Sequence, residues 1–165
     1  MHIDETDLRI LSLLQRDASA SVGEIAEAVG LSQSPCWRRI QRLDRAGVIR
    51  SRVAVLDGAR LGLNCELFVQ VRFEANSPDT LAQFEDTVRR TPEILECHML
   101  MGEVDFLLRV VTRDVQAYDS LLRNTLAKIP GVRSVSSTMT LSAIKRGQSL
   151  PLHLLGDGTD VEDPD

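Results

Sequence analysis

Two short amphipathic stretches in this chain are separated by only three residues, Gly30-Leu31-Ser32. Before that turn, Ser21-Val22-Gly23-Glu24 has the form of a capping box, in which the Ser hydroxyl accepts the Glu24 amide and the Glu carboxylate reaches back to the Ser21 amide. Ile25, Ala26, Ala28 and Val29 follow as an apolar face, and Gly30 stands where a helix closes through a left-handed residue. After the turn, Ser32 occupies the next N-cap position. Pro35 falls in the first turn, where its missing amide hydrogen costs little, and Gly47 marks the end. A glycine-containing turn this short between two capped helices is the sequence form of a helix-turn-helix. An earlier helix is expected from Asp4, its cap, with Asp7 three residues on and Ile10, Leu11, Leu13 and Leu14 as its apolar face.

The third helix carries the chemistry. At about 100° per residue, Cys36, Ile40 and Leu43 share one side, while Ser34, Arg38, Gln41, Arg42 and Arg45 point away from it. Arginine pairs bidentately with guanine and glutamine with adenine. The N-terminal residues of a recognition helix enter the major groove most deeply. Gln33, Ser34, Trp37 and Arg38 are therefore expected nearest the bases, with Gln41 beside them. Arg42 and Arg45 are expected on phosphates, flanked by Arg50 and Arg52, and the amides at Ser32 and Gln33 suit a further phosphate. Trp37 borders the apolar stripe, so core packing and DNA contact are both open for it. Cys36 reads as a small core residue.

Net charge looks unfavourable for such a partner. The 165 residues carry 19 Lys+Arg against 24 Asp+Glu, a formal −5. The excess is confined to the end: residues 150–165 hold five acids and no Lys or Arg, while residues 1–149 balance at 19 of each. Residues 38–52 hold six arginines and a single acid, Asp44, a local +5. DNA binding is thus located rather than excluded.

Other classes are disfavoured. A 43% hydrophobic content is enough for a core. No apolar run approaches the roughly 18–20 residues that span a bilayer, and Met1-His2-Ile3-Asp4-Glu5 does not read as a secretory leader, so a cytoplasmic location without membrane contact is expected. Three widely spaced cysteines (Cys36, Cys65, Cys97) fit a reduced compartment. No metal, nucleotide or dinucleotide motif occurs, and no cofactor is expected. The histidines, His2, His98 and His153, form no triad or paired-carboxylate spacing, so no catalytic residues are assigned and an enzyme is not expected.

Beyond Gly47 the periodicity changes. Val48 to Leu56 reads as a linking strand before the turn Asp57-Gly58. Leu67, Val69, Val71 and Phe73 alternate along a strand. Ser77-Pro78-Asp79 opens a helix to about Arg90. Ile94–Met101 and Val104–Val111 read as a hairpin through Gly102-Glu103. Asp114 caps a helix bearing Val115, Tyr118, Leu122 and Ile129, stopped by Pro130-Gly131, and Val132–Ile144 reads as the last strand. The order is that of a ferredoxin-like βαββαβ unit. The expected class is α+β: a helix-turn-helix (winged-helix-like) domain over 1–47, a linking strand and hinge over 48–64, a ferredoxin-like domain over 65–152 and a disordered acidic tail over 153–165.

These residues resemble the Lrp/AsnC family of leucine- and asparagine-responsive bacterial regulators. The run from Asp4 to Gln15 is similar to the family's opening helix. Ile25–Ser32 and Ser34–Leu43 are similar to its helix-turn-helix, and Gly47-Val48-Ile49 to the exit from that motif. Gly102-Glu103-Val104-Asp105 resembles its glycine-x-x-aspartate signature, followed by Leu126–Val132 and Ser136-Ser137-Thr138. The resemblance covers roughly residues 3–152. It implies a transcriptional regulator of double-stranded operator DNA, built as a homodimer and often assembled further to an octamer. Its effector would be an amino acid or a close relative, bound between neighbouring ferredoxin-like domains. Carried over, Met101, Gly102, Glu103, Val104 and Asp105 become effector candidates, with Ser136, Ser137 and Thr138 beside them. The residues themselves leave a second reading open at the turn, in which Gly102 permits the hairpin and Asp105 caps a strand. A competing class is a thiol- or metal-responsive regulator using Cys36, Cys65 or Cys97. Cys97 and His98 are adjacent, but neighbours on a strand face opposite ways.

Overall fold

The capping patterns lead directly into the first half of a computed structural model that describes residues 1–74, 77–147, 149–155 and 159–160. After a two-residue strand β1 (His2–Ile3), Asp4 caps α1 (Glu5–Arg16) by accepting the Asp7 amide at 2.8 Å. Ser21 caps α2 (Val22–Val29) in a reciprocal box with Glu24, and Gly30 closes that helix at φ 75°. Helix α3 (Gln33–Arg45) begins after Ser32, which holds the N-cap position but makes no side-chain capping hydrogen bond. The expected cap is therefore positional only. Ile10, Leu11, Ile25, Val29, Cys36, Ile40 and Leu43 form the core of this part, with Val48 and Ile49 packed against it.

The expected linking strand is not observed. Residues 51–57 belong to no helix or strand, and Val53, Val55 and Leu56 are exposed. Extended apolar chain becomes sheet only where a strand edge accepts its hydrogen bonds, and this stretch pairs with no strand among the described residues.

The second half follows the βαββαβ order: β2 (Cys65–Phe73), α4 (Pro78–Arg90), β3 (Ile94–Met99), β4 (Phe106–Thr112), α5 (Val115–Asn124) and β5 (Val132–Met139). The strands form one antiparallel sheet in the order β3-β4-β2-β5. Alternate residues of β2 (Cys65, Leu67, Val69, Val71 and Phe73) are buried beside Phe84 of α4, Tyr118 of α5, and Phe106, Leu108 and Val110 of β4. Phe84 packs against both Phe73 and Phe106, with centroid separations of 5.3 and 4.5 Å, and those two rings meet each other at 5.8 Å. The other sheet face carries Phe68, Gln70, Arg72, Leu107, Arg109, Glu96, His98, Ser136 and Thr138.

Three boundaries differ from the sequence reading. The helix capped by Asp114 stops at Asn124 and gives way to a 3-10 turn, Leu126–Lys128, and Val115 is exposed rather than buried. The hairpin strands are shorter, so residues 100–105 form the connection. Strand β5 ends at Met139, opposite Leu67, and the Thr140 amide then donates to the Glu66 carbonyl.

The contacts divide the chain into two units, Met1–Val55 with Lys145–Asp165, and Leu56–Ile144. Residues 145–152, read as part of the ferredoxin-like domain, thus group with the helical part. Gln15 binds the Leu150 main chain through both amide atoms, and Leu152 packs on the helical core. The tail expected to be disordered holds a 3-10 turn at Leu152–Leu154 and a strand β6 (Thr159–Asp160), antiparallel to β1. Residues 156–158 and 161–165, also covered by that expectation, lie outside the described residues.

Candidate functional site

Helix α3 buries Cys36, Ile40 and Leu43 and turns a polar face outward, as its pattern requires. Ser32, Gln33, Ser34, Trp37, Arg38, Arg42 and Arg45 are exposed, and Gln41 is half-buried. Trp37 is 50% exposed, which removes it from the core. A groove of about 420 Å³ lies against this face, lined by Met1, Trp37, Arg38, Gln41, Arg42 and Arg45. Gln33 lies over the start of α2: a Cβ on Gly23 would come within 3.1 Å of its Nε2, so the glycine leaves room for it.

The arginines are not equivalent. Arg39 Nη1 donates to Asp4 Oδ2 at 2.6 Å and to Asp7 Oδ1 at 2.9 Å. Arg42 Nη2 donates to Asp7 Oδ2. Asp7 is fully buried. Burial alone would raise the Asp4 carboxyl, yet the Asp7 amide and the Arg39 guanidinium hold it below its ordinary value. The same bonds, Asp4 first, push the Arg39 guanidinium up. Arg52 donates to both Asp44 oxygens, at 3.1 and 3.0 Å. Among the described residues Arg38, Arg45 and Arg50 have no carboxylate partner. The roles of Asp7 and Asp44 as partners were missed by reading one helix at a time. The signal was present: Asp7 lies three and four residues before Ile10 and Leu11, on the buried stripe of α1.

In the sheet unit, Leu100–Asp105 turns between β3 and β4. Gly102 has φ 155°, at the limit of the region that favours glycine, and Met101, Gly102 and Glu103 are exposed. Glu103 reaches Arg72 at 3.5 Å. Val104 and Asp105 are half-buried. Asp105 Oδ2 accepts the Phe73 amide at 2.7 Å, its own amide donates to the Val71 carbonyl, and its carbonyl accepts the Leu100 amide. Asp105 therefore anchors the turn to the end of β2. The remaining candidates separate. Ser136 and Thr138 lie on the open sheet face, whereas Ser137 faces the helices and bonds the Tyr118 hydroxyl. Strand β2 stands between β5 and β4, so these residues do not join the 100–105 turn within one chain.

The cysteines are dispersed. Cys36 and Cys65 are buried and Cys97 is half-buried. Strand β4 separates Cys65 from Cys97, and Cys97 and His98 face opposite sides of the sheet. Burial pushes the Cys36 thiol up against the pull of Arg39, and burial and then the Glu85 charge push the Cys97 thiol up. Both shifts oppose thiolate chemistry. Among the described residues no group of three or more His, Cys, Asp or Glu is arranged to hold a metal. No helix among them is long and apolar enough to cross a membrane.

A capped helix-turn-helix followed by an antiparallel βαββαβ sheet defines a DNA-binding regulator with a separate ligand-binding part. Comparison with known proteins agrees. Residues 3–50 match the winged helix-turn-helix DNA-binding family, and residues 66–150 match the Lrp/AsnC ligand binding domain. The chain is 37% identical over 150 residues to the glutamate uptake regulatory protein of Zymomonas mobilis, covering 91% of each. It is similar to the crystal structure of an AsnC family transcriptional regulator from Agrobacterium tumefaciens (TM-score 0.87, 41% identity, 92% and 99% of the two chains). A transcriptional regulator from Neisseria meningitidis, solved as a complex with L-Met, gives a TM-score of 0.88 at 37% identity, again over 92% and 99%. The chain belongs to the Lrp/AsnC family and is a DNA-binding transcriptional regulator.

Proposed function

We propose that this regulator reads its operator through the outward face of α3 and answers to an amino acid held at the Gly102–Asp105 turn. On DNA, Gln33, Ser34, Trp37, Arg38 and Gln41 meet base edges, while Arg45 and the amides at Ser32 and Gln33 meet phosphates. The observation that carries this reading is the outward face of α3, where Trp37 is half-exposed and Arg38 has no carboxylate partner among the described residues. A bulky indole left in water between arginines is costly in the free protein and useful against a base edge or a thymine methyl.

For the effector, the exposed backbone around Gly102 suits a carboxylate and Asp105 suits an ammonium, with Met101, Glu103 and Val104 around them. The L-Met complex of the Neisseria meningitidis relative and the glutamate-named Zymomonas mobilis relative support an amino acid as the class. Ser136 and Thr138 reach such a ligand only from a second copy. The working unit is therefore a homodimer that covers the open sheet face and its exposed Phe68, with further assembly toward an octamer. The DNA-binding part is the helical unit, residues 1–47 with the returning C-terminal segment, and the effector part is the sheet unit.

Arg38→Ala is expected to abolish operator shifts in a gel assay, and undiminished binding overturns the helix assignment. A thermal-shift screen against the twenty amino acids is expected to raise the melting temperature for one or a few of them by mass action. A flat screen overturns the effector reading and leaves the DNA reading standing.

A further inference from the structure

We infer that Asp7 is a positioning residue for the recognition helix, and that it removes Arg42 from the phosphate contacts, leaving Arg45 and Arg50 as the cations that meet the DNA backbone. The inference rests on the DNA-binding reading of α3 and goes beyond it by sorting the arginines of that face.

Both Asp7 oxygens are committed. Oδ1 accepts Arg39 Nη1 at 2.9 Å, while Oδ2 accepts Arg42 Nη2 and also the Asp4 amide at 3.3 Å. Arg39 and Arg42 lie three residues apart on α3, so their guanidiniums converge on one point. That point is a carboxylate with no exposed surface, at the first turn of α1. The three side chains fix the rotation of α3 against α1, and with it the direction in which Trp37, Arg38, Gln41 and Arg45 project.

The arrangement also decides what Arg42 offers to DNA. A phosphate that approached this guanidinium would find its Nη2 committed to Asp7, and drawing that group away would leave a buried carboxylate with one partner fewer. Breaking a buried pair from one side is penalised far more than an exposed pair is rewarded. Arg42 is already neutralised by Asp7 in the free protein, whereas Arg45 and Arg50 lack carboxylate partners among the described residues. Because affinity for DNA falls with salt in proportion to the phosphates neutralised, at about 0.9 in the logarithmic slope for each, the two kinds of arginine are distinguishable.

The test is a salt titration of the full chain on a labelled random-sequence duplex, read by fluorescence anisotropy. Arg45→Ala is expected to flatten the slope by about 0.9 per copy bound. Arg42→Ala is expected to lower affinity severalfold at every salt while its line stays parallel to wild type. Since that variant deprives Asp7 of one of its two arginines, the double variant Asp7→Asn with Arg42→Met removes both charges together and is expected to keep the wild-type slope. A flattening by about 0.9 per copy in either Arg42 variant overturns the inference. Failure of the underlying reading has a different signature: wild type itself, and not only a variant, shows no salt-dependent binding.

Discussion

Asp105 has been given two duties, and replacing it separates them. Its carboxylate accepts the Phe73 amide at 2.7 Å in a half-buried setting, so Asp105→Ala leaves that donor without its charged acceptor. Hydrogen bonds to charged groups are worth about 1.5–3 kcal/mol. With a central value of ~2 kcal/mol and 4–8 °C per kcal/mol for a unit of this size, the sheet unit's own transition should fall by roughly 8–16 °C. Asp105→Asn keeps an oxygen that can accept the same amide and loses only the charge, so its fall should be less than half as large. Scanning calorimetry of both variants, with and without the amino acid found by screening, separates the outcomes. Asn at this position should melt near wild type but lose the ligand-induced rise, because an amide does not attract an ammonium as a carboxylate does. An Ala variant that melts within about 2 °C of wild type would refute the strand-end anchor. An Asn variant with a full ligand-induced rise would refute the ammonium contact.

Other perturbations follow from the same structure. Phe84→Ala removes the ring that packs against Phe73 and Phe106 and should cost about 3–5 kcal/mol in urea denaturation. Ser21→Ala should lose about 1 kcal/mol, since its hydroxyl caps the Glu24 amide, whereas Ser32→Ala should change stability little because Ser32 makes no such bond. The Asp4 carboxyl is held below its ordinary value of 3.8, so its contribution to stability is complete above that pH and is lost as pH falls through the folded value. In Arg39→Gln, a carboxyl NMR titration should find the Asp4 midpoint moved back up.

What was legible in the sequence was local. Ser21 and Glu24 act within one turn of each other, Gly30 closes the same short helix, and alternate burial along β2 needs only the period of a strand. The outward face of α3 was legible for the same reason. What that face meets was not: Arg42 is held by a carboxylate 35 positions away, and a wheel drawn for one helix cannot show what the next helix sets against it. The stretch from Val48 to Leu56 has strand composition but pairs with no strand among the described residues, because strand propensity expresses a fit to neighbours more than a backbone preference. The last strand stops at Met139, opposite Leu67, five residues before the expected Ile144. The two duties of Asp105 were both stated from sequence, and the bond to Phe73 accounts for one of them.

The returning C-terminal segment has a mechanical consequence. The chain leaves the helical unit near Val55 and rejoins it at Lys145, where Gln15 grips Leu150, Leu152 enters the core and β6 pairs with β1. Two covalent connections, not one, run between the parts. A protease nick in the exposed stretch 51–57 therefore does not set the DNA-reading part free, because the downstream fragment carries Leu150 and Leu152 and stays attached through them. Torque or displacement arising in the sheet unit reaches the helices along both connections. A chain that is linear in its chemistry is, in its mechanics, a closed loop.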